Sequence, residues 1–159
     1  MSVTSVRKDP EARTLTITTH FDASVDRAWQ LWADPRQLEQ WWAPKTHPLT
    51  VVEHDLSPGG KVSYFVIGPD GDRISGWWRI LAVDAPRHLE FELGGPEVPT
   101  MTTRVGIEAH EGGGTRMTVH TTFSSPEAMA YLISIGFDQG LTTAVGQIDD
   151  VLRGDTAPP

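Results

Sequence analysis

Glu53, His54 and Asp55 stand in a row, and a histidine flanked by two carboxylates is a residue set that could move protons. In an extended chain, however, successive side chains alternate between faces, so Glu53 and Asp55 share one side and His54 takes the other. Without a bulge the three cannot meet at one substrate atom, and a solvated face is the better reading. His20 and His120, on polar strand faces, are read in the same way. The six histidines show no zinc pattern, and the absence of cysteine removes thiolate ligands, disulfides and a thiol nucleophile. There is no G-x-S-x-G elbow. Ser57-Pro58-Gly59-Gly60 reads as a loop, and Gly112-Gly113-Gly114 reads as a hairpin turn, because the helix and lysine that a phosphate loop requires do not follow it. The expectation is a chain with no catalytic set, no metal and no cofactor.

The aromatic residues offer a different chemistry. Four of the six tryptophans form two doublets, Trp41-Trp42 and Trp77-Trp78. Each ring system can bury ~150 to 250 Å², or roughly 4 to 6 kcal/mol of transfer free energy as an upper bound. Side chains of that kind belong in a core, at an interface or against an apolar ligand.

The elements that must position them sit in a chain of 159 residues with 38% apolar content, enough for one domain with a core of its own. Residues 1–159 are read as that single domain, with an ordered core over about 14–153. A net charge of -8 and the lack of a Lys/Arg run argue against a nucleic-acid partner or an anionic membrane surface. No stretch of 18 apolar residues occurs, so no membrane insertion is expected, and the N-terminus carries no apolar targeting segment. The expected location is the cytoplasm. The Pro-rich end, "RGDTAPP", should fray.

"TLTITTHF" alternates Leu15, Ile17 and Phe21 with polar residues, the period of a strand with one buried face. "SVDRAWQLWADP" then changes to helical spacing behind a Ser24 cap, and "DPRQLEQWW" restarts with Asp34 as N-cap, Pro35 at the first helical position and Gln37 completing a capping box. Neighbouring helical residues point ~100° apart, so one of Trp41 and Trp42 should reach the core and the other the rim. Between residues 49 and 123 six further strands alternate with turn-forming stretches, an antiparallel meander. Among them, Ile74, Ile80 and Ala82 favour Trp78 over Trp77 as the inward ring, although Leu81 and Val83 suggest a bulge. From Pro126 to Leu152 an apolar stripe recurs at helical spacing behind Ser124 or Ser125, as one long helix lying across the sheet. Gly136, Gly140 and Gly146 on or beside that stripe each cost ~1 kcal/mol relative to alanine, so close packing or room for a ligand must offset them. The result is an α+β fold, a curved seven-stranded antiparallel sheet wrapped around one long C-terminal helix, with two short helices after the first strand. Such a sheet encloses a volume.

The strings "VDRAWQLWADPRQLEQWWAPK", "DLSPGGKVSYFVIGPDG", "GWWRILAVDAPRHLEFEL" and "GGGTRMTVHTTF", together with the order of elements, resemble the START-like superfamily. Within it they resemble the bacterial homologues of the activator of the heat-shock protein 90 ATPase, over about Leu15 to Leu152. One departure is Gly136-Phe137, where relatives often carry Gly-Trp. The resemblance implies a helix-grip fold with a deep apolar cavity closed by the last helix. The expected cavity residues are Trp41, Trp42, Tyr64, Phe65, Trp78, Phe91, Met101, Thr103, Met129, Ile133, Phe137 and Leu141, with Tyr64, Thr103, Arg104 or Asp138 as polar groups to orient a ligand. The expected partner is an apolar or aromatic small molecule bound without catalysis. A polyketide cyclase or aromatase-like enzyme and a chaperone-assisting interaction module are the alternatives, and an exposed tryptophan would also suit a homodimer contact.

Overall fold

In a computed structural model the chain is described over residues 3–95 and 98–156. The alternating segment after the N-terminus forms β2 (Thr14–Phe21), with Leu15, Ile17 and Phe21 buried. Before it lies β1 (Val3–Asp9), which pairs with β2 antiparallel. Seven strands were therefore one too few, and the added one falls in residues placed outside the ordered core. β1 is an exposed edge strand of mostly polar residues, held by backbone pairing, so it leaves no apolar period to read.

Two helices follow, α1 (Val25–Ala33) and α2 (Pro35–Trp41). Ser24 accepts the Arg27 N–H as expected of a cap. Asp34 accepts the Arg36 N–H, and this bond holds its carboxyl below the usual carboxylate range. Gln37 reaches the Asp34 carboxylate instead of its backbone N–H, because that N–H already closes α1 on the Gln30 carbonyl. One aspartate thus ends one helix and begins the next.

The chain then runs through β3 (Leu49–His54), β4 (Lys61–Ile67), β5 (Arg73–Asp84), β6 (His88–Gly95), β7 (Val98–Ala109) and β8 (Thr115–Phe123). The sheet is ordered β1-β2-β8-β7-β6-β5-β4-β3, with every pairing antiparallel. The two helices after β2 carry the chain to the far edge, and the meander brings it back to pair with β2.

Three helical segments close the fold: α3 (Pro126–Ser134), α4 (Phe137–Gly146) and α5 (Ile148–Thr156). The single continuous helix is corrected to this broken one. The first break falls at Gly136, whose φ of +90° is a left-handed conformation that glycine adopts without a steric penalty. The second falls at Gln147, the C-cap of α4. The apolar stripe survives both breaks, since Met129, Leu132, Leu141, Val145 and Ile148 join one buried cluster with the inner face of the sheet.

A candidate ligand-binding cleft

Of the tryptophan doublets, Trp41 and Trp78 are core, Trp42 reaches a cleft, and the half-buried Trp77 belongs to neither. Trp41 is fully buried, and its indole N–H donates to the Leu31 carbonyl at 2.9 Å. Trp78 is also fully buried and stacks on Phe91 with ring centroids 4.2 Å apart. The register shift in β5 lies between Ile80 and Ala82, beyond Trp78, so the bulge leaves that ring facing inward and turns Leu81 out. Trp42 connects core and surface. Its ring meets Trp78 at 4.9 Å and Trp41 at 5.5 Å, both edge to face, while its outer side is open.

That open side belongs to an apolar cleft between β4–β6 and the start of α4. It has two adjoining compartments of about 270 Å³ and about 250 Å³, and both are bordered by Tyr64, Val66, Leu93 and Phe137. Ile74, Gly76, Met101, Leu132, Ile135 and Gly136 continue the walls of the first. Trp42, Pro44, Leu49, Gly140 and Leu141 continue those of the second. Ile74 and Ile135, at the mouth, are 50% and 58% exposed. A depression of about 500 Å³ beside Arg7, Asp9, Thr16 and His120 is larger. It is the poorer candidate, because its side chains are polar groups already suited to water.

Glycines shape this cleft in two ways. A Cβ on Gly140 would meet nothing within 4 Å, so the helix leaves open space at that point. Gly76 does the opposite, for a Cβ there would lie 2.5 Å from Tyr64 Cζ and Oη. The Tyr64 ring lies against the Gly76 backbone, its cross-strand neighbour in register. Burial raises the Tyr64 phenol above its ordinary pKa, while the indole N–H groups of Trp42 and Trp78 pull the other way. The phenol is therefore a neutral donor near pH 7. Among the described residues it is the only ionisable side chain on these walls.

Of the residues expected from sequence, Tyr64 and Phe137 border both compartments, Met101 the first, and Trp42 and Leu141 the second. Trp41, Trp78, Phe91 and Met129 lie behind the walls as core, and Ile133 is half-buried off them. Thr103 is buried with its hydroxyl 3.0 Å from that of Thr121. Phe65 takes the face opposite Tyr64, under the Arg73 guanidinium at 4.0 Å. Arg104 pairs with Glu90, and Asp138 with Lys8 at 2.9 Å, so neither is placed to orient a ligand in the cleft. Glu53, His54 and Asp55 do not converge, even though β3 carries a register shift between Val51 and Glu53 and ends at His54. Glu53 accepts from Ser63, His54 Nε2 lies 2.9 Å from the Trp32 carbonyl, and Asp55 accepts from Ser57. Among the described residues no group of three His, Asp or Glu could hold a metal ion, and no helix is long and apolar enough to cross a membrane.

Gln147 escaped the sequence reading. Its Nε2 donates to the carbonyls of Trp41 at 3.1 Å and Ala43 at 2.9 Å, and its Oε1 accepts the Lys45 N–H at 3.2 Å. The side chain thus fixes the loop that presents Trp42 and Pro44. Its position among other polar residues of the last helices, such as Gln139 and Thr143, leaves no sequence signal that singles it out.

Residues 22–153 match the family described as Activator of Hsp90 ATPase homolog 1-like protein. Protein Ms6760 from Mycobacterium smegmatis is 44% identical, with a TM-score of 0.86 over 94% of this chain and 96% of that one. A protein from Arthrobacter aurescens, solved by solution NMR, is 42% identical, with a TM-score of 0.92 over 96% of this chain and 93% of that one. A Rhodobacter sphaeroides protein at 20% identity shares the fold, with a TM-score of 0.84 over 94% of this chain and 99% of that one. No curated protein matches the chain.

Proposed function

From the premise that the chain belongs to the Activator of Hsp90 ATPase homolog 1-like family, we propose that it binds an apolar or aromatic small molecule in the cleft between β4–β6 and α4. The observation that carries this reading is the paired compartment walled by Trp42, Tyr64, Leu93, Phe137 and Leu141, with Gly140 leaving space within it. Apolar walls of this kind supply affinity by removing ligand surface from water, at ~25 cal/mol per Å² before the costs of association. The charged residues of the central strands pair on the opposite face of the sheet, as Arg79 does with Glu92 and Arg104 with Glu90, and leave the cleft apolar.

Native mass spectrometry of protein purified from its own source tests the reading. The expected result is a non-covalent adduct that organic solvent releases and that Gly140→Leu lacks. Protein that is uniformly empty, and stays so after exposure to saturating naphthalene, would contradict it.

A further inference from the structure

Given the binding role proposed for the cleft, the core beside it bears on what a ligand there must carry. The indole N–H of Trp78 is buried and has no hydrogen-bond partner. The other fully buried indoles are served, Trp41 by the Leu31 carbonyl and Trp32 by the Met117 sulfur at 3.3 Å. A buried donor left unpaired is uncommon and costly. Trp78 cannot turn to find a partner, because it is held between Phe91 at 4.2 Å and Trp42 at 4.9 Å.

What stands beside it is Tyr64, edge to face at 6.4 Å. The indole N–H groups of Trp42 and Trp78 both act on the phenol oxygen, favouring its ionised form, yet the buried Trp78 N–H closes no hydrogen bond with it in this structure. Tyr64 in turn borders both compartments, its ring seated on Gly76. Two donors are thus lined up from the core to the cleft, and the chain of bonds they could form lacks a final acceptor.

We propose that the ligand is a flat apolar molecule bearing a carbonyl-type oxygen, which accepts the Tyr64 O–H proton while the Trp78 N–H closes onto the Tyr64 oxygen. Each bond in such a chain polarises the next and strengthens it. A carboxylate fits less well, since no basic side chain lines the described walls to offset its charge. A hydroxyl fits less well too, because its own proton would need an acceptor. Among the described residues the one other side-chain hydroxyl on the walls, Ser75, is exposed at the mouth and open to solvent.

A matched pair of probes separates this from simple apolar binding. 2-Acetylnaphthalene carries the oxygen, and 2-isopropenylnaphthalene has the same shape without it. Isothermal titration of the wild-type chain is expected to show the ketone binding about tenfold more tightly, the gain of one net hydrogen bond. Tyr64→Phe should abolish that advantage, the loss of a single polar contact, and leave the affinity for the hydrocarbon, which makes no such contact, within about twofold. In the wild-type chain the Trp78 Nε1–H resonance should move downfield with the ketone alone, a readout that needs no variant. Equal binding of both probes, or a ketone advantage that survives Tyr64→Phe, would overturn the proposal and leave the cleft as an apolar site. Binding of neither probe would overturn the cleft reading itself.

Discussion

Tyr64 owes its place to a residue that is not there. The ring occupies the volume a side chain at position 76 would take, 2.5 Å from where a Cβ would sit. Gly76→Ala must therefore push the ring off the β5 backbone and into the cleft. Overpacking of this kind costs ~1 to 3 kcal/mol, and the low end is expected here because a ring bordering open space can swing. The variant should fold, show shifted Tyr64 ring resonances, and bind 2-acetylnaphthalene less tightly. Unchanged Tyr64 resonances would show that the ring does not rest on Gly76. At this scale the sequence was partly legible. The period-two rule turned Trp78 inward, and Tyr64 was named as an orienting group. Trp41 on α2 and Phe91 on β6, expected at the cavity wall, are instead solid core, because helical or strand periodicity says which face a ring takes but not whether packed side chains or open space lie opposite.

The broken final helix decides where that space lies. Gly136 in the left-handed region restarts the chain as α4, and one turn later Gly140 faces the second compartment with nothing within 4 Å of a Cβ. Gly140→Leu separates stability from binding. Replacing a helical glycine should stabilise the helix by up to ~1 kcal/mol, so thermal unfolding should hold steady or rise while probe binding falls, as the new side chain fills the compartment. A variant that binds as well as the wild type would show that the ligand does not use this space. The three glycines were visible as a cost needing an offset, with ligand room as one of two candidates. What the sequence could not show was the break, since the stripe from Met129 to Ile148 keeps its period across Gly136 and only φ reveals the turn.

Across the whole molecule, the N-terminal edge strand is fastened to α4 by Lys8 and Asp138, 2.9 Å apart, with Asp138 largely buried. The Lys8 ammonium holds the Asp138 carboxyl below its ordinary value against the opposing effect of burial. A carboxyl whose folded pKa lies below its unfolded value adds stability at pH values above the unfolded one, ~3.9, and loses it as pH falls through the folded one. Asp138→Asn should thus lower stability by roughly 1 kcal/mol at about pH 7 and by much less at about pH 3, in urea unfolding. An equal loss at both pH values would assign the effect to packing instead of charge. This contact joins residues 130 apart in the chain. For the same reason β1 itself, polar and exposed, escaped a reading built on apolar periods.

The cleft is likewise a property of the whole, formed where the last helix leaves β4–β6 uncovered, and its occupancy is what the account stands on. Titration of the isotope-labelled chain with naphthalene, followed by amide and indole resonances, tests this most directly. The predicted result is saturable shifts at Gly76, Gly94, Gly136, Gly140 and the Trp42 indole, with Glu108 and Thr118 on the outer face unmoved. Shifts that do not saturate, or that gather on the outer face instead, would contradict it.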